Sequence, residues 1–128
     1  MDIKPINHTR TKIVFKDADN NEILTNWKET ITDYSYPMLW KADEYEPFIN
    51  IMFWLDEDNK ITELYEENRK INHIDFVLLD SKLNEVATFT VFNVSLDNLH
   101  LQVIDNLLTG NAYFKYKYTT YTPAEREE

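Results

Sequence analysis

The sequence predicts a mainly β domain of the α+β class: an antiparallel β-sandwich or barrel of about six to eight strands with one α-helix packed against it. Three observations carry this. Short runs rich in β-branched and aromatic residues alternate with clusters of Asp, Asn and Ser. Ala112–Tyr121 alternates aromatic and polar residues with a period of two, as a half-buried strand does. Only Asp58–Ile71 has helical spacing, with Ile61, Leu64, Tyr65 and Ile71 on one face.

In chain order, residues 1–10 read as a polar arm carrying Pro5. Thr11–Lys16 is a short strand with Ile13 and Phe15 on one side. Asp17–Glu22 is a turn, because Asp and Asn side chains bond nearby backbone and tolerate the left-handed region. Glu22–Trp27 returns as a second strand with Ile23 and Trp27 inward. Lys28–Tyr36 is a third, with Ile31 on one face and Tyr34 and Tyr36 on the other, and Pro37 ends it. Met38–Pro47 is a loop or protruding element. Phe48–Leu55 is apolar on both faces, which fits a strand with an interface on its second side.

The helix follows. Asp56, Glu57 and Asp58 stand at its start and Arg69 and Lys70 at its end, the order that complements the helix dipole. Asp58 or Asn59 is its cap and Asn72 its stop. His73–Leu79 and Val86–Val94 form a hairpin around Asp80–Glu85. Leu99–Ile104 is a strand inside a longer connection, and Asn106–Asn111 is a turn around Gly110. Ala112–Tyr121 closes the fold, with Phe114, Tyr116, Tyr118 and Tyr121 as a core stripe. Residues 123–128 form an acidic tail. The chain is a single domain, its core spanning 11–122.

Composition removes several functions. Cysteine is absent, so disulfides, Cys-zinc sites and thiol nucleophiles go together. The one glycine, Gly110, excludes any glycine-rich phosphate cradle. His8, His73 and His100 are scattered, without a His-x-x-x-His pair; His73 reads as a surface or capping residue and His100 as solvent-facing. Asp17, Asp19 and Asn21 imitate the opening of a calcium loop, but Glu22 and Lys28 occupy the positions that need Gly and Glu. No secretory leader or membrane span is visible. No cofactor, metal or small-molecule substrate is expected, and the chain reads as a non-enzyme.

The net charge is −10, and it is uneven. Residues 1–16 hold four bases against Asp2 alone, whereas 17–67 hold fourteen acids against three lysines. Such a face repels phosphates and disfavours nucleic-acid binding. The aromatic cluster Tyr34, Tyr36, Trp40 and Tyr45 reads equally as core or as interface; its acid-flanked, proline-bounded setting is one where Tyr and Trp suit an interface.

The order of elements over Phe48–Tyr121 resembles the tail tube proteins of contractile-tailed bacteriophages. Phe48–Asp58 looks like that family's central strand entering an acidic turn, Leu64–Arg69 like its helix, and Ile74–Leu79 with Val86–Asn93 like its next two strands. Ala112–Tyr121 looks like its closing strand. The link at Val94–Leu99 lacks the family's proline, and the loop at 37–47 is short, so tube, tube initiator and tube terminator all stay open. The resemblance implies a virion tail component, made in the host cytoplasm. Six copies would form a ring, neighbouring strands would join into one inner barrel, and stacked rings and neighbouring tail proteins would make a conduit that DNA passes without specific binding. The expected contacts are Tyr36, Met38, Leu39, Trp40, Tyr45, Phe48 and Trp54, with Lys4 and Arg10 of the arm. The competing expectation is a small acidic inhibitor or adaptor that binds a basic, nucleic-acid-handling partner.

Overall fold

The computed structural model describes residues 10–25, 27, 30–35, 37, 47–55, 66 and 70–123. Among them run nine strands: β1 (Arg10–Lys16), β2 (Glu22–Ile23), β3 (Ile31–Tyr34), β4 (Phe48–Trp54), β5 (His73–Leu79), β6 (Glu85–Phe92), β7 (Ser95–Ile104), β8 (Leu107–Lys115) and β9 (Tyr118–Pro123). They form two antiparallel sheets, one ordered β2-β1-β5-β6-β9 and one ordered β3-β4-β8-β7. The fold is therefore a sandwich, and neither sheet closes on itself into a barrel.

The expected helix at 58–71 lies almost entirely outside the described residues. Glu66 has helical backbone, Lys70 is in a turn, and Ile71 is extended and buried.

One apolar core fills the space between the sheets. Ile13 and Phe15 of β1, Ile74 and Phe76 of β5 and Val91 of β6 face Ile49, Ile51 and Phe53 of β4 and Ala112 and Phe114 of β8. The inward residues recur at every second position, as strand geometry requires. Trp27, 2% exposed, sets its ring edge-on to Phe53 at 4.8 Å. Each such large side chain removed from water stabilises the fold by roughly 1.5–3 kcal/mol.

Two five-residue turns join the strands of the larger sheet, and both use an Asp as the anchor. Asp17 Oδ1 accepts the N–H groups of Asp19 (3.0 Å) and Asn21 (2.9 Å). Asp80 Oδ1 accepts those of Lys82 and Asn84 (both 2.9 Å). The fourth residue of each turn is left-handed: Asn20 at φ 67° and Leu83 at φ 65°. The calcium-like Asp17 segment is thus a closed turn whose carboxylate is occupied by its own backbone.

Several sequence expectations are corrected. The second strand stops at Ile23, because Leu24 turns left-handed (φ 55°) and buries itself. Ile31 and Tyr34 share the core face, since a bulge between Ile31 and Asp33 shifts the alternation by one residue. Residues 95–98, expected as connection, are the start of β7. The turn lies at Asp105-Asn106, where φ is 52° and 65°, and not around Gly110. Consecutive positive φ angles are the signature of a tight hairpin turn.

The closing strand is two strands. Tyr116 and Lys117 break it, β8 pairing with β4 and β7 while β9 pairs with β6 in the other sheet. Phe114 and Tyr116 are core, but Tyr118 and Tyr121 are about 40% exposed and pack on Phe92 and Phe89 instead. His73 is buried rather than superficial. Its ring nitrogens lie 3.0 Å from Asn72 Oδ1 and 3.1 Å from Asn20 Oδ1, and its ring stacks on Phe92. His100 is exposed.

Candidate assembly interface

Among the described residues, β3 and β7 are the outer strands of the four-stranded sheet. The β7 edge is ten residues long, and after the bulge at Asp97 it carries neither proline nor lysine. Soluble proteins normally blunt such an edge, because its unpaired N–H and C=O groups template pairing with another chain. From Asn98 to Phe114 the sequence holds one acid, Asp105, and no Lys or Arg. In a chain of net charge −10, this stretch is nearly free of charge.

The β7–β8 hairpin outruns the rest of its sheet. The β4–β8 pairing ends at Trp54–Thr109, whereas β7 and β8 stay paired to Ile104–Leu107. Among the described residues, the core takes in Leu99 and Ala112 of the hairpin but not its tip. Leu101 (50% exposed), Val103 (69%) and Leu108 (46%) continue the inward row into solvent, and Ile104 and Leu107 are exposed on the other face. Scattered exposed leucines are ordinary, but a cluster on one tip marks a contact surface.

The outward face of this sheet mixes amide and hydroxyl groups with Phe48, Met52 and Trp54 and a few charges. Asn50 donates from its amide to Asn111 Oδ1, and Asn111 donates to the Tyr113 hydroxyl (3.2 Å). His100 lies beside Asn111 and Gln102 beside Thr109. The charges there are Asp33 and the pair Lys115–Asp97 at 3.2 Å.

No protein-family model matches the sequence, and no curated protein matches it. Solved structures do match, at low identity over nearly whole chains. A chain of the anti-feeding prophage tube terminating cap aligns with a TM-score of 0.64 and 12% identity, covering 97% of this chain and 95% of that one. The Hcp1 protein of E. coli EAEC 042 gives 0.62 and 11%, covering 90% and 92%. A chain of the PVC sheath-tube complex, from an extracellular contractile injection system, gives 0.61 and 13%, covering 94% and 93%.

The chain has the tube-protein fold. That fold places the expected contact residues unevenly. Phe48, 51% exposed, opens β4 on the outward face with the Lys115 ammonium 5.5 Å from its ring centre. Trp54 closes β4, half-buried beside Thr109. Arg10 is exposed at the start of β1, opposite Leu79. Phe48 and Trp54 thus share a sheet face but stand at its two ends, and Arg10 belongs to the other sheet. Tyr36, Met38, Leu39, Trp40, Tyr45 and Lys4 lie outside the described residues. Sequence reasoning missed the exposed hairpin tip, because it placed the turn at Asn106–Asn111 around Gly110. The available signal was Asp105-Asn106, two residues tolerant of positive φ, flanked by apolar pairs.

Proposed function

We propose that this chain is a non-enzymatic structural subunit that assembles into rings, six-membered by analogy, of a tail tube or its end. The observation that carries the reading is a fold shared over nearly its whole length with tube and cap subunits, in which β7 is a long outer strand without proline or lysine. Pairing β7 of one copy with β3 of the next would satisfy both edges and make one continuous wall.

Shape supports putting the four-stranded sheet on the inner side. At about 4.8 Å per strand it is ~19 Å wide, against ~24 Å for the five-stranded sheet. A subunit narrower on one face packs into a ring with that face inward. The wall would then present Asn50, Asn111, Tyr113, Gln102 and His100 rather than a field of carboxylates. On such a surface the one described cation, Lys115, is paired with Asp97, which suits DNA passing without specific binding. The 37–47 loop, with Tyr36, Met38, Leu39, Trp40 and Tyr45, is the proposed contact between rings, together with the arm bearing Lys4 and Arg10. The particle is a virion tail or a tail-like injection device.

Negative-stain microscopy and light scattering of the purified protein test this. Rings or tubes are the expected result. A protein that stays monomeric at high concentration, while binding a basic DNA-handling partner in a salt-sensitive way, would instead establish the acidic-adaptor reading.

A further inference from the structure

We propose that the β7–β8 hairpin tip is a stacking plug that seats on the opposite rim of a second copy in the next ring. This rests on the ring reading above. If sheets join edge to edge, their hydrogen bonds run around the ring, so the strands run along its axis with the usual barrel tilt. The tip therefore projects from one rim. The other rim is the far end of the same sheet, where Phe48 pairs with Lys115. Leu107 and Lys115 are eight residues apart on β8, about 26 Å.

The two rims complement each other. The tip offers Val103, Ile104, Leu107 and Leu108 around a single negative charge, Asp105. The opposite rim offers the exposed Phe48 ring with Lys115 over it and the exposed Lys117 after it. Apolar side chains meet an aromatic, and the Asp105 carboxylate meets the Lys117 ammonium beside the Lys115–Asp97 ion pair, in a chain that is otherwise strongly acidic. Copies stacked tip to rim make a head-to-tail contact, which repeats without closing and so builds a tube. Tip-to-tip pairing would bring Asp105 against Asp105, so the charges disfavour it. The described ends of the 37–47 loop, Pro37 and Pro47, flank β3 and β4 on the Phe48 side, so the loop leaves from the rim the plug would meet.

The absence of cysteine makes the test direct. The full chain is prepared with Val103→Cys and Phe48→Cys together and oxidised under assembly conditions. The tip and rim of one copy are too far apart to join, since a disulfide needs Cα atoms within about 7 Å. A ladder of cross-linked multimers is expected. Products that stop at the dimer, or no cross-link although rings form, would overturn the plug. In parallel, Val103→Glu with Leu107→Glu should leave single rings and cut the mass in tubes at least about tenfold, the effect of losing ~1.4 kcal/mol per contact. Val103→Thr with Leu107→Thr, which keeps strand propensity, serves if the glutamates disturb folding. Tubes of undiminished length in the folded variants reject the plug while sparing the ring. Wild-type protein that never forms rings rejects the ring reading, and the plug with it.

Discussion

Gly110 is the space into which the Phe53 ring packs. A Cβ built on Gly110 would stand 2.6 Å from Phe53 Cε2 and Cζ, closer than carbon atoms approach. Gly110 and Phe53 are directly opposite on β8 and β4, and Trp27 packs against the same ring, its centroid 4.8 Å away. Glycine is thus needed for close approach, not for a left-handed backbone.

Gly110→Ala should therefore destabilise the protein by about 1–3 kcal/mol, the range for overpacking a filled core. Phe53→Leu in the same chain should return part of that loss by clearing the ring. Urea midpoints of the two single variants and the double variant check this. Additive losses would mean that the two residues do not compete for space.

Leu83 has the opposite problem. It holds φ at 65° with its side chain 58% exposed, so it carries the strain of a left-handed backbone with little burial in return. Leu83→Asn should stabilise the protein by about 0.5–1 kcal/mol, seen as a higher Tm. Leu83→Val should lower it, because a β-branched residue tolerates positive φ least. An unchanged Tm in both would deny that this turn is strained.

Asp80 in the same turn gives a pH dependence. Hydrogen bonds from the Asn84 and then the Lys82 backbone, with the Asn84 amide and the Lys82 charge adding to them, hold its carboxyl below its ordinary 3.8. A folded-state value below the unfolded one stabilises the fold above pH 3.8, and that contribution fades as pH falls through the lower folded value. The stability gap between wild type and Asp80→Ala should be constant from neutral pH down to about 5 and narrow below 4. A gap that widens on acidification would reverse the assignment.

How far these features were legible depends on what each residue answers to. The inward row of β1 follows from alternation and the hairpin of β5 and β6 from its polar turn between two apolar runs, so both could be read directly. Gly110 could not, because its reason is a ring 57 positions away in the chain. Ile31 and Tyr34 were assigned opposite faces by strict period two, which a bulge breaks without a sequence mark of its own. The break at Tyr116 is similar. Its aromatic alternation runs unbroken through a point where the chain changes sheets, and only pairing partners distinguish the halves. At the interface, exposure depends on which strand ends first, and strand ends are set by neighbours rather than by local pattern.

The remaining prediction concerns charge inside the larger sheet. Asp75 on β5 is buried to 9% exposure, with Lys16 Nζ at 2.9 Å and the Thr90 hydroxyl donating at 2.7 Å. Lys16→Met removes the cation and leaves a desolvated carboxylate with one donor, which should cost about 1–3 kcal/mol. Asp75→Leu alone leaves Lys16 able to reach water, since its side chain is 25% exposed, and should cost less. The double variant should be more stable than Lys16→Met alone, because two apolar groups can replace a buried ion pair with little loss. The cycle is closed by denaturant unfolding of all four proteins. A coupling energy near zero would make Lys16–Asp75 a surface contact in all but position, and Asp75 would then owe its place to Thr90.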